Sequence, residues 1–473
     1  MTEATVGLLG IGLDTYWSQF PGLHNRLSTY VETVATKISA AGVVVSNAGL
    51  IDTVDKAFAA NQLFRAADVE LIFVYATTYA LSSTVLPAVR RANVPVVILN
   101  LQPEAAIDYG AFNKLGDRTH MTGEWLAYCG ACPVPEIANV LKRSGIPFHQ
   151  VTGVLTGDGH VDAEIAGWAA AARAAHIMRH NRLGLLGRYY GGMLDIYTDQ
   201  TLQLATFGGH IEMLEIDELV AVRRDVANDD IARRVDLFRQ QFDVQADCLK
   251  HELHRAASTS LALDTLVETH RLGSVAYYHE GAAEHEHQDV ISSVILGSSL
   301  LTARGCPVAG EYEIKNVQAM KILDALGRGG SFTEYYAVDF DDDVVLMGHD
   351  GPGHIAIAEG KTKVRSLDVY HGKPGRGLSV EMSVKHGPVT LLSVIERGDS
   401  LALLYAEGAS VPGPILKIGN TNSRYRFPLG ARGFIEAWNA EGPAHHCAIG
   451  VSHCGAAISK LAHLVGIEAI KVC

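Results

Sequence analysis

Gly310-Glu311-Tyr312-Glu313-Ile314-Lys315, then Ser331-Phe332-Thr333-Glu334-Tyr335-Tyr336, then Met347-Gly348-His349-Asp350-Gly351 straddle the point where the apolar pattern of this chain changes period. Gly327-Arg328-Gly329-Gly330 lies at the change. Upstream of it, segments 290–303 and 314–326 are spaced as helices. Downstream, 332–339, 344–347, 355–358, 378–384, 389–395 and 401–405 are short alternating runs separated by glycine turns, which predicts antiparallel β structure, a small barrel or sandwich.

Toward the N-terminus the pattern is of another kind. Apolar runs at 6–12, 42–46, 70–75 and 94–99 read as strands, and amphipathic stretches at 25–40, 53–66 and 82–91 as the helices between them. A second set follows Pro133: helix 162–180, strand 182–186, helix 201–207, strand 210–214, further helices to His270 and strand 274–278. The expectation is two doubly wound α/β domains, 1–178 and 179–328, followed by a C-terminal antiparallel β-barrel-like domain, 329–473. A length of 473 residues fits roughly three domains at about 150 residues each.

Gly10-Ile11-Gly12-Leu13-Asp14-Thr15 resembles a dinucleotide loop only in part, because Thr15 replaces the third glycine and no P-loop lysine follows. Ligands of such sheets still gather beyond the carboxyl ends of strands, which singles out Asp14 and Trp17 together with segments 76–79 and 100–103. The loop Gly187-Arg188-Tyr189-Tyr190-Gly191-Gly192-Met193-Leu194-Asp195 follows a predicted strand and is a candidate substrate wall, with Tyr190 and Met193 as contacts; Glu280, just after strand 274–278, is another.

A net charge of −13, with no basic block beyond short pairs such as Arg223-Arg224, argues against nucleic acid. No stretch of 18 uninterrupted apolar residues occurs, and the N-terminus lacks the basic region of a signal peptide, so a cytoplasmic protein without a membrane segment is expected. Seven cysteines without framework spacing fit a reducing compartment, and Cys129-Gly-Ala-Cys132 reads as two semi-buried thiols at a helix end. Two histidine-rich stretches are decoys. His251-Glu252-Leu253-His254 has the wrong spacing for a zinc protease and reads as a solvated helix face, and 284–287 reads as an acidic loop.

A carboxylate beside glycine and between apolar runs is partly desolvated and must be paired, hydrogen-bonded or bound to a cation. Glu311, Glu334 and His349 therefore form a convergent candidate set, and Gly442-Pro443-Ala444-His445-His446-Cys447 offers a fourth ligand in His446. Carboxylates mixed with a neutral imidazole suit manganese, zinc or iron better than magnesium or calcium.

Glu311-x-Glu313, Ser331-Phe332-x-Glu334, Gly348-His349 and Gly442-x-Ala444-His445-His446 occur in an order and spacing that resemble the L-arabinose and L-fucose isomerase superfamily, and Glu334 after Ser-Phe is closer to the arabinose branch. The resemblance implies a metal-dependent aldose–ketose isomerase working through an enediolate. In it Glu311, Glu334, His349 and His446 hold manganese, cobalt or another divalent metal, Glu311 and Glu334 serve as acid and base, and His445 with Glu313 opens the sugar ring. It also implies a homo-oligomer, hexamer or tetramer, in which a neighbouring N-terminal domain closes the site over a free pentose, hexose or derivative. Where arabinose isomerases carry a Gln-His pair, this chain has Leu13-Asp14-Thr15-Tyr16-Trp17, which points to a different sugar. A metal-dependent epimerase or lyase would use the same enediolate chemistry, and a non-catalytic sugar-binding protein is a further alternative that has no need of the acid–imidazole set.

Overall fold

The computed structural model describes residues 3–282, 285–367 and 376–473. It divides into two units: one runs to His176 and takes in His463–Val465, and the other comprises Ile177–Ala462 with Gly466–Cys473.

In the first unit, strands Thr5–Ile11, Val44–Ile51, Ile72–Tyr75, Val96–Gln102 and Phe148–Val154 form a five-stranded sheet in the order second, first, third, fourth, fifth. All of its pairings are parallel. Parallel strands are covered on both faces, which is why Ile72–Tyr75 is buried throughout and reads as a continuous apolar run. Leu27, Val31 and Val34 of helix Leu23–Ala40 pack on one face, and Phe64, Val85 and Ile137 belong to the cluster on the other. Truncating a ring such as Phe64 to alanine costs about 3–5 kcal/mol in a core of this kind. Thr53 caps helix Val54–Ala66 by accepting the Lys56 backbone N–H at 3.3 Å, so the expected start at Thr53 falls one place early, on the cap itself. Strand Phe148–Val154 and helix Val134–Arg143 were not legible in the pattern; the strand is mostly exposed along its outer edge and carries no apolar alternation.

The second unit opens with a four-stranded parallel sheet in the order Val308–Ala309, Ser274–Tyr278, Arg182–Gly187, His210–Leu214. Its C-terminal part is a seven-stranded sheet in the order Gly387–Arg397, His446–Val451, Gly329–Asp339, Val344–His349, Thr421–Arg426, Ser400–Val411, Glu468–Lys471. Gly387–Arg397 also pairs along its length with Ser400–Val411. This sheet is mixed, not wholly antiparallel, because Ser400–Val411 and Glu468–Lys471 run parallel. Helices Gly430–Ala440 and Gly455–Val465 sit between its last strands. Helix Ile314–Ala325 packs against Gly329–Asp339 and His446–Val451 and is buried on every side, Lys315, Asn316, Gln318 and Lys321 included.

Three local expectations are corrected. Residues 355–358, expected as a strand, form a 3-10 turn at Ile355–Ile357, after which Ala358 makes only an isolated bridge to Val384; a four-residue apolar run cannot distinguish the two. The expected helix 290–303 is two helices, Glu286–Ile291 and Ile295–Ala303. Ser292 and Ser293 separate them, their hydroxyls bonding back to the carbonyl of Asp289. His285 and His287, expected in a loop, cap and enter helix Glu286–Ile291, whereas Glu284 lies outside the described residues. Of the other decoy, His251 and His254 are exposed as expected, but Glu252 is buried and paired with Arg255. Among the described residues no helix is long and apolar enough to cross a membrane.

Candidate active site

Everything in the acid–imidazole cluster belongs to the second unit. Its first part is the turn between strand Val308–Ala309 and helix Ile314–Ala325, where Glu311 (φ 59°) and Tyr312 (φ 62°) are consecutive left-handed residues without being glycine. Such a conformation costs on the order of 1–3 kcal/mol per residue and persists only where the surroundings over-determine it. They do so here. The Tyr312 N–H donates to the Tyr277 carbonyl at 3.0 Å, the Glu313 N–H to that of Gly310 at 3.1 Å, and the buried Tyr312 ring stands edge-on to Tyr189 with centroids 4.8 Å apart.

Strand pairing supplies the rest. Across the sheet Glu334 lies opposite His446 on one side and Gly348 on the other, so residues far apart in sequence become neighbours. At Gly348 an added Cβ would come within 1.8 Å of the Thr421 carbonyl oxygen, so only glycine lets strand Thr421–Arg426 approach. Thr421 then fixes His349: its hydroxyl accepts the His349 N–H at 2.7 Å and donates to the His349 carbonyl at 2.9 Å. The Phe332 ring lies 4.2 Å from that of His349 and 4.5 Å from that of His446, centroid to centroid, holding both imidazoles on an apolar support.

Nε2 of His446 lies 3.5 Å from Glu311 Oε2 and 4.0 Å from Glu334 Oε2, and Nε2 of His349 is 3.9 Å from Glu311 Oε1. The His446 ring is fully buried, and its Nδ1 is hydrogen-bonded to the Glu313 carboxylate. Burial, reinforced by His445, drives the His446 pKa well down, so the ring is neutral. Burial also pushes Glu313 up, with Lys315 and His445 opposing it. Among the described residues, Nε2 of His446 is buried and has no hydrogen-bond partner.

A neutral imidazole nitrogen with no partner, facing two carboxylates from a buried position, is suited to a cation. Glu311, His349 and His446 each offer a ligand atom, all within 4.8 Å of one another, and so do Glu334, His445 and His446. Glu313 on Nδ1 is the carboxylate partner that a metal-bound imidazole commonly has. His349 needs one adjustment. Its Nδ1 accepts the Gly351 N–H at 3.0 Å, which puts the proton on Nε2, and ligation through Nε2 requires the other tautomer, with Asp350 Oδ1 available 3.4 Å from Nδ1.

His445 is placed differently from its neighbour. It is half-exposed, its Nδ1 lies 2.5 Å from Asp195 Oδ2, and its Nε2 is 3.8 Å from Glu311 Oε2. Burial opposes its charge, but Asp195, aided by Glu313 and Glu311, outweighs that and raises its pKa.

The loop after strand Arg182–Gly187 comes to the same place. The Tyr190 N–H reaches toward the Glu311 carbonyl at 3.5 Å, and the Tyr190 ring stacks on Tyr278 at 4.6 Å. Met193 is half-buried just before the 3-10 turn Leu194–Ile196. Glu280 accepts the Tyr278 hydroxyl at 3.0 Å. Asp14 and Trp17 belong to the first unit, beyond the carboxyl end of strand Thr5–Ile11: Asp14 is exposed, and Trp17 donates its indole N–H to Asp52 at 2.8 Å. The sequence reading gave no separate role to Phe332, Lys315 or Asp195. All three lie inside the stretches singled out there, 331–336, 310–315 and 187–195.

Residues 329–468 match the family model described as the L-arabinose isomerase C-terminal domain. An L-arabinose isomerase of Nocardioides sp. is 24% identical over 352 residues, covering 71% of this chain and 68% of that protein. One of Klebsiella pneumoniae is 24% identical over 322 residues, covering 64% of this chain and 63% of that protein. Among solved structures, a carbohydrate transporter from Acidothermus cellulolyticus in complex with myo-inositol is 14% identical at a TM-score of 0.17, over 69% of this chain and 86% of that one, a likeness too slight to bear on the fold. The chain is thus similar to L-arabinose isomerases, and over residues 329–468 to their C-terminal domain.

Proposed function

We propose that this chain is a metal-dependent aldose–ketose isomerase acting on a free pentose, hexose or derivative through an enediolate. The observation that carries this reading is the convergence of Glu311, Glu334, His349 and His446 around the partnerless, buried Nε2 of His446. Manganese, or cobalt in its place, would be held by those four residues and would polarise the substrate carbonyl and stabilise the developing negative charge. Glu311 and Glu334 act as the acid and base that move the proton between C1 and C2. Glu313 keeps His446 oriented, and His445, together with Glu313, serves the opening of the sugar ring.

Tyr190, Met193 and Glu280 form the substrate wall of the same unit, and Asp14 and Trp17 are contacts contributed by a neighbouring copy in a hexamer or tetramer. The three-part division at 178 and 328 belongs to this proposal, as does a cytoplasmic location. So does a barrel-like C-terminal domain, which the additional pairing of Gly387–Arg397 with Ser400–Val411 supports. The sequence Leu13-Asp14-Thr15-Tyr16-Trp17 favours a sugar other than L-arabinose.

The test is to strip the protein with a chelator, add back manganese or cobalt, and screen a panel of free aldoses and ketoses with product analysis. Turnover is expected to vanish and return, with an aldose giving its ketose. Full activity in metal-free protein overturns the metal assignment, and an epimer or a cleaved product overturns the reaction assigned.

A further inference from the structure

We infer that Asp195 is a positioning residue for His445, fixing both the orientation of its ring and which ring nitrogen carries the proton. The kinetic side of this inference rests on the isomerase reading above; its structural side does not.

One carboxylate oxygen, Asp195 Oδ2, receives two bonds from His445: the backbone N–H at 3.0 Å and ring Nδ1 at 2.5 Å. Holding a residue by backbone and ring together removes the freedom about both side-chain torsions. A carboxylate accepts and cannot donate, so in the neutral ring Nδ1 carries the proton and Nε2 is left with its lone pair. That nitrogen faces Glu311 Oε2 across 3.8 Å, and since both are acceptors a substrate hydroxyl entering there can donate its one proton to either of them, but not to both.

An exposed ion pair is ordinarily worth little, because two long side chains must be ordered to form it. Asp195 escapes that objection because its backbone is already fixed. The buried Lys315 ammonium donates to the Asp195 carbonyl at 2.6 Å, and the next residue, Ile196, is fully buried. Lys315 is the second residue of the helix that follows the Glu311–Glu313 turn. The loop carrying Asp195 is thereby tied to the same helix that positions the carboxylates, so His445 is held in a frame common to Glu311 and Glu313.

The experiment is nitrogen-15 NMR of histidine-labelled protein at alkaline pH, where the imidazoles are neutral, with the His445 signals identified from their loss in His445→Asn. Wild-type protein is expected to show the Nδ1–H form at His445. Asp195→Ala should shift it toward the Nε2–H form preferred in free histidine, and Asp195→Glu should restore much of the wild-type signature. In the isomerase assay Asp195→Ala should lower kcat by about 10–100-fold, the range for partners that orient a functional imidazole, while KM and manganese affinity measured by calorimetry change little. Unchanged His445 signals in Asp195→Ala overturn the inference whatever the activity. A shifted signal in a protein that isomerises no sugar sustains it and instead removes the proposed function.

Discussion

The turn from strand Thr5–Ile11 into helix Thr15–Gln19 and the turn from strand Val308–Ala309 into helix Ile314–Ala325 are both glycine-bearing, both follow a parallel strand, and both present acids. In the first, Gly12 is needed because a Cβ there would stand 2.9 Å from the Trp17 ring, and the polar groups are satisfied locally: Trp17 on Asp52, Asp52 on Lys56, Asp14 in solvent. In the second, two non-glycine residues take left-handed backbone angles and a carboxyl group is buried against an imidazole that has one nitrogen partnerless. The difference is one of cost. Burying such groups is unfavourable unless something binds them, so chemistry is expected at the second turn, whereas the first meets no such cost and enters only as the proposed substrate contact.

The largest expected effect contrasts the two turns directly. Glu311→Gln should lower kcat by about 10²–10⁴-fold, the usual worth of a general acid or base, and should not recover in excess manganese. Asp14→Asn should alter KM and leave kcat within a small factor. Comparable kcat losses in both variants, measured on the same sugar, would erase the distinction.

A smaller effect concerns the partners within each turn. Glu313→Ala strands the buried Nδ1 of His446 and should cost about 1–3 kcal/mol in urea unfolding. Trp17→Phe should cost less, because Asp52 keeps Lys56 at 2.9 Å. The ranking reverses if the His446–Glu313 contact is not formed in solution.

The smallest is a pH effect at His354, away from both turns. This histidine is buried with Nδ1 lacking a partner among the described residues, and burial holds its pKa below the ordinary histidine value. The unfolded chain therefore binds the proton more readily than the folded one. Stability contributed by the neutral ring is present above the unfolded pKa of about 6.5 and is lost as pH falls toward the lower folded value. Urea midpoints for His354→Leu should fall less steeply below that pH than those of the wild type.

The acids beside glycine and the histidine pair at 445–446 were legible because burying ionisable residues among small and aromatic ones is costly enough to be informative. The alternation that brings Glu334 beside His446 was legible only in half, since strand His446–Val451 was not read as a strand. Asp195 escaped because its meaning depends on His445, a partner that no local spacing connects to it. The missed strand at 148–154 and the break at Ser292-Ser293 have the same origin: edge exposure and hydroxyl back-bonding leave no periodic trace. The departures lie where tertiary context, not local preference, decides.

The pairing of Glu334 with His446 also bears on how the protein reaches its native state. These residues meet only when strand His446–Val451 has docked against Gly329–Asp339, and that docking closes a long stretch of intervening chain. Contacts of large sequence separation form late, because the entropy of loop closure must be met before they bring any return. A nascent or refolding chain can therefore complete its first parallel sheet while the Glu334–His446 pair does not yet exist, which makes the cluster a product of the last stage of folding.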